Sequence, residues 1–256
     1  VYMEAEHSFG NWLEKSGRRE EVVILSKCGH PDAMWNKRVN EKEMRKDLKK
    51  SLEELKTDYI DIYMLHRDDP DTDVAVAVET FNAMHEEGSI RAFGASNWMH
   101  TRIEEANEYA YKHNLIPFSV SSPNFCLARQ IEDPWGGGCV NISGPENQEA
   151  RAWYEKNQMP VIAYASLGRG FFSGRMKSEY ADHASDYLDS FAMTGYACSD
   201  NFECLHRCEI IAERHGVTVA QIAMNWIFSH PLNIFAIASM SKADRMKANR
   251  EALLLQ

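Results

Sequence analysis

Hydrophobic positions along this chain follow two alternating spacings. Short, nearly continuous apolar runs recur at Val22–Lys27, Tyr59–His66, Ile90–Asn97, Phe118–Ser122, Pro160–Leu167 and Ile234–Ser241. Runs of that length predict strands covered on both faces, as in a parallel sheet. Between them, apolar residues fall three and four apart. In Glu41–Lys56, Met44, Leu48, Leu52 and Leu55 share one face, with lysine, arginine and glutamate opposite, the stripe of an amphipathic helix. Further helices are predicted at Asp73–Glu87, Thr101–His113, Asn147–Asn157, Asp200–His215, Thr218–Ser229 and Lys242–Leu254, and a first one opens the chain. Asn40 with Glu43 predicts a capping box, and Gly88 and Gly216 stand where helices should stop.

Strands alternating with helices across short breaks predict an α/β fold with parallel strands, read as one domain over 1–256. Two connections are long, Lys27–Asn40 and Pro123–Glu146, and both follow the carboxyl end of a strand. In a parallel barrel that end is the active-site face. An eight-stranded barrel needs two strands more than the six found. The chain begins without methionine, so the expectation is that the amino-terminal strands lie outside this sequence.

Composition narrows the function. A net charge of −10 and 44% hydrophobic residues suit a soluble enzyme and argue against nucleic acid or an acidic membrane as partner. No apolar run has the length of a membrane span. Six cysteines without a CxxC pair predict reduced thiols and a cytoplasmic location. Cys204, His206 and Cys208 have no second ligand pair nearby, so they predict packing thiols and no metal.

The exits of the strands carry the chemistry. They end in Lys27, His66, Ser96 with Asn97, Ser121 with Ser122, Tyr164 with Ser166, and Ser241 with Lys242. An ammonium beside a phenol favours the phenolate and lets a tyrosine exchange its proton near neutral pH. Tyr2 is the tyrosine placed to reach Lys27, and a neutral His66 could hydrogen-bond a carbonyl. These groups suit carbonyl reduction, with a hydride from a cofactor and a proton from tyrosine. No GxGxxG follows a strand, so a Rossmann site is not supported. Gly168–Gly174, "GRGFFSG", has the glycines to embrace a diphosphate.

The segments "VVILSK", "LKTDYIDIYMLHR", "GSIRAFGASNW", "VIAYASLGRGFFSG" and "SKADRMKAN", in this order, resemble the aldo-keto reductases. The resemblance implies an NADPH-dependent (β/α)8 TIM barrel acting on aldehydes, ketones or sugar-like carbonyls. It implies Tyr2 as general acid, Lys27 as its partner and His66 as the carbonyl-orienting group. The family's catalytic aspartate would precede Val1. The resemblance further implies that Ser96, Asn97 and Ser122 contact the nicotinamide carboxamide region and that Tyr164 stacks on its ring. Ser166, Leu167, Gly168 and Gly170 would wrap the pyrophosphate. Ser241, Lys242, Arg245 and Asn249 would hold the adenosine phosphate, which favours NADP(H) over NAD(H). Serine replaces a usual glutamine near Ser122, and Ala248 a common glutamate. Trp35 and Trp98 are candidate substrate-pocket residues. Two other readings stay open: a catalytically weak NADPH-binding barrel that serves as sensor or partner module, and a metal-dependent hydrolase using His30, His66 and Asp68. Oligomeric state is not readable.

Overall fold

The computed structural model describes residues 3–239 and 242–255. Two compact units divide it, residues 1–121 and 122–256. The first unit runs α1 (Met3–Ser16), a 3-10 turn (Arg19–Glu21), β1 (Leu25–Cys28), α2 (Glu41–Leu55), β2 (Ile60–Leu65), α3 (Val74–Glu86), β3 (Ile90–Ser96) and α4 (His100–Lys112). The junction falls in β4 (Val120–Ser122). The second unit continues with α5 (Gln148–Asn157), β5 (Val161–Ala163), α6 (Ser190–Tyr196), α7 (Ser199–His215), α8 (Val219–Phe228), β6 (Ile234–Ala236) and α9 (Ala243–Glu251). Within the first unit β1, β2 and β3 lie side by side in chain order, and within the second β5 lies beside β6. The alternation of strand and helix is the α/β architecture that the apolar spacing predicts.

In the first unit β2 is the central strand. It pairs in parallel with β1, Leu25 opposite Ile62 through Cys28 opposite Leu65, and with β3, Ile60 opposite Ile90 through Leu65 opposite Ala95. Met64, Leu65, Phe81, Met84 and Phe93 are buried around it. Met44, Leu48 and Leu55 supply the buried face of α2. Gly10 lets α1 lie directly on that helix, because a Cβ there would sit 2.1 Å from the Glu54 carbonyl oxygen. In the second unit β5 and β6 pair in parallel, and Phe171, Phe172, Met176, Tyr196 and Leu205 form a buried cluster.

Several boundaries differ from expectation for identifiable reasons. The first strand begins at Leu25 instead of Val22, since the Ile24 N–H is taken by the Asp61 carboxylate at 2.9 Å and Val23 is exposed. The run from Pro160 stops being a strand after Ala163, because Ala165 takes a left-handed φ of 53° that turns the chain away. Asn40 caps α2 by accepting from the Glu43 N–H at 3.0 Å. The reciprocal half of the box does not form: the Glu43 carboxylate binds the Arg38 guanidinium instead. Gly216 ends α7 in the left-handed region as expected. α6 and the 3-10 segment Ser178–Asp186 have no counterpart in the predicted elements. The six cysteines are free.

Candidate active site

Parallel register brings the chemistry of the first unit to one level. Lys27 is the penultimate residue of β1, His66 directly follows β2, and Ser96 closes β3. Asn97 then takes a φ of 60°, a conformation asparagine tolerates better than most residues. That turn lets its amide Nδ2 donate to the His66 backbone oxygen at 3.0 Å and lie 3.2 Å from the Ser96 hydroxyl. The end of β3 is thereby tied to the end of β2. A cavity of about 450 Å³ opens here, lined by Glu6, Lys27, His30, Arg38, Asp47 and His66 among others.

Electrostatics prepares both candidate catalytic groups. Burial, with Lys27, His30 and Arg67 adding positive charge, pushes the His66 imidazole down to about 2. It is therefore neutral throughout the physiological range and able to donate an N–H without carrying charge. Burial, followed by the Arg67 guanidinium, lowers Lys27 to about 8. Its ammonium is thus poised near neutrality and can release a proton far more readily than a solvated lysine.

The surrounding wall is fixed by ionic and polar bonds. The Ser26 hydroxyl donates to Glu6 at 2.5 Å, fastening α1 to β1 one residue before Lys27. Arg38 donates to Glu43 at 2.8 Å, to Asp47 at 2.6 Å and to the His30 carbonyl at 3.2 Å. Asp47 also accepts the Gly29 N–H at 3.0 Å. The loop leaving β1 is thus clamped onto α2. Sequence reading missed Glu6, Arg38 and Asp47, and considered His30 only as a metal ligand. The available signal was the position of His30, three residues beyond Lys27 in "KCGHP".

The tryptophans are placed differently from expectation. Trp98 is 1% exposed and packs its ring on Phe118 at 5.5 Å, with the Arg102 guanidinium 5.3 Å away. It is a core residue, because the chain passes from β3 into α4 with this side chain turned inward. Trp35 is 56% exposed at a loop turn held by Asp32. Neither lines the cavity. Asp68 pairs with Arg102 at 3.5 Å. Among the described residues, no group of three or more histidine, cysteine, aspartate or glutamate side chains is arranged to hold a metal ion.

The second unit carries the other sequence candidates. Tyr164 follows β5, its ring edge-to-face with Trp135 at 5.6 Å. Ser122 donates its hydroxyl to the Ile162 carbonyl at 2.7 Å. Ser166 is buried, with its hydroxyl 3.1 and 2.9 Å from the carbonyls of Ala163 and Ile237. From Ala165 the chain coils through tight turns: the Gly168 N–H donates to Ala165 and the Gly170 N–H to Leu167. Gly168 and Gly170 both have positive φ, and the following Phe171 and Phe172 are buried as anchors. Lys242 and Arg245, at the start of α9, are exposed, and Asn249 is half-buried on the same helix. Among the described residues neither cation is ion-paired. Tyr2 and Ser241 lie outside the described residues.

Comparison with known proteins gives this arrangement a family. An aryl-alcohol dehydrogenase from Pestalotiopsis microspora is 25% identical over 99% of the chain, which spans 62% of that protein's length. The aldo-keto reductase yakc [NADP(+)] of Schizosaccharomyces pombe is 26% identical over 97% of the chain and 69% of its own length. A crystal structure of a thermostable aldo-keto reductase bound to the inhibitor epalrestat superposes with a TM-score of 0.68. It shares 22% identity over 99% of the chain and 73% of that protein. At that identity the likeness shows the fold alone, and it agrees with the (β/α)8 type that the family resemblance implies. The family model described as Aldo/keto reductase family matches residues 1–256, and the chain belongs to that family.

Proposed function

We propose that this protein is an oxidoreductase that moves a hydride between NADP(H) and a carbonyl or alcohol substrate, an aldehyde, ketone or sugar-like compound. One observation carries the reading. A neutral His66 and a readily deprotonated Lys27 line one cavity in a member of a reductase family.

NADPH, when bound, would supply the hydride. The features of the second unit suit such a group. Gly168 and Gly170 both take positive φ in tight turns, the backbone form in which glycine lets a main chain approach a bound group closely. The cations Lys242 and Arg245 stand at the start of a helix, where phosphate is favoured. The name of the Schizosaccharomyces pombe relative also supports NADP. In this reading Tyr164, Ser166, Leu167, Gly168, Gly170, Ser241, Lys242, Arg245, Asn249 and Ser122 are the second unit's cofactor-binding candidates, and Ser96 and Asn97 are those of the first unit.

His66 would hold the substrate oxygen through an uncharged N–H, polarising the carbonyl without competing for the transferred proton. Tyr2 would give that proton to the developing alkoxide. The Lys27 ammonium would stabilise the tyrosinate left behind and so ease the transfer. The test is turnover by the full chain of 4-nitrobenzaldehyde with NADPH, alongside NADPH binding read by tryptophan fluorescence. Binding with turnover supports the proposal. Binding without turnover would favour a sensor or partner-binding module, and no binding would remove the basis for either reading.

A further inference from the structure

His30 lies outside the residues that the family resemblance implicates, yet it meets one of them directly. Its ring packs edge-on against His66, with centroids 4.7 Å apart and planes at 69°, and both rings line the same cavity as Lys27. Three contacts fix His30 in turn. Its Nδ1 donates to the Pro31 carbonyl at 2.8 Å, which places the proton of the neutral ring on Nδ1 and leaves Nε2 bare. Its own carbonyl accepts from Arg38 at 3.2 Å. The preceding Gly29 N–H donates to Asp47 at 3.0 Å. The ring is thus tied to the next carbonyl, and the backbone that carries it is tied to Arg38 and Asp47.

We propose that His30 is a positioning residue for His66, fixing the orientation of that imidazole in the cavity by edge-on packing. The inference rests on the reductase reading given above. An imidazole that orients a carbonyl must keep its N–H aimed within a narrow cone, and a packed aromatic neighbour supplies that constraint.

The same contact gives the site an acid limit. Burial, ahead of the Arg67 and Arg38 guanidiniums, holds His30 below the usual imidazole value against the pull of the Pro31 carbonyl. Its charged surroundings are Lys27 on β1 and His66 with Arg67 at the exit of β2. Arg38 and Asp32 stand in its own loop, Glu43, Lys46, Asp47 and Lys50 on α2, and Glu6 on α1. His66 is depressed much further, to about 2. On acidification His30 therefore takes up a proton first and sets a cation against the ring it supports.

The experiment compares wild type, His30→Ala and His30→Phe in the full chain, using 4-nitrobenzaldehyde and NADPH. His30→Ala should lower kcat about tenfold with NADPH Kd changed less than about twofold, the signature of lost orientation. His30→Phe keeps a ring edge without a titrating group. It should recover most of that kcat and lose the acid-side fall in turnover expected of wild type below the ordinary imidazole value of 6.5. Wild-type rates in His30→Ala, or equal losses in both variants, would overturn the proposal. Imidazole 15N NMR reads His66 without any turnover. His30→Ala should shift the His66 ring resonances and mix its tautomers, whereas unchanged resonances would refute the contact's role. If wild type reduces no aldehyde, the reductase reading fails, and the NMR arm still decides the proposal for His30.

Discussion

Replacing Arg38 with methionine probes how the cavity wall is held. Its guanidinium is 19% exposed and serves Glu43 and Asp47, themselves 25% and 22% exposed, while also binding the His30 carbonyl. Methionine keeps the stem and removes the charge, leaving two half-buried carboxylates facing each other. Exposed pairs contribute ~0.2–1 kcal/mol, and breaking a buried pair costs ~3–5 kcal/mol. At this intermediate burial the expected cost is about 2 kcal/mol. With a urea slope of about 3 kcal/mol per molar, the midpoint should fall by roughly 0.7 M. Adding Asp47→Asn to Arg38→Met should return part of the loss, because a repelling charge is removed. Urea melts of the four proteins of that cycle make the check. A midpoint shift below about 0.2 M for Arg38→Met, or strict additivity in the cycle, would refute the view that one cation clamps this loop.

Three further predictions concern single groups. Lys27 has its pKa lowered from 10.5 to about 8, so its ammonium is lost as the pH rises through 8, and reductive turnover should decline there. The unfolded chain binds that proton up to about pH 10.5 and the folded chain does not, so Lys27's contribution to stability should grow between those values; a melting series over that range checks it. Gly94→Ala would place a Cβ 1.9 Å from the Val120 carbonyl oxygen. It should destabilise by about 3 kcal/mol, and a thermal midpoint equal to wild type would show that the two strands separate easily. The neighbouring Cys208 thiol, ahead of the Arg207 guanidinium, draws the Cys204 thiol below its usual value against the effect of burial. Iodoacetamide at pH 7 should label Cys204 before the other five cysteines, as peptide mass spectrometry would show.

Much of the architecture was legible because burial imposes a period. The stripe Met44–Leu48–Leu55 and the run Ile60–Leu65 fold as predicted. The errors lie where a polar side chain or a turn overrode local pattern. Asp61 took the Ile24 N–H, Ala165 ended β5 early, and Arg38 drew Glu43 out of its capping box. α6 escaped notice because its short span presents too few turns to show a helical period. Lys27 and His66, singled out by their place at strand exits, line one cavity in the structure. Trp98 could not be assigned from sequence, since an aromatic residue at a strand end reads alike as pocket wall or core. The support given by His30, Arg38 and Asp47 depends on a loop folding back onto α2, and no local spacing encodes that contact.

The central claim is direct hydride transfer assisted by Lys27 and His66. Its most direct test is single turnover of 4-nitrobenzaldehyde with C4-deuterated NADPH, scored by mass spectrometry of the alcohol. The account predicts one deuterium on the benzylic carbon, with the rate lowered by at least about a hundredfold in Lys27→Met and in His66→Phe while NADPH still binds. An alcohol without deuterium, or wild-type rates in either variant, would contradict it.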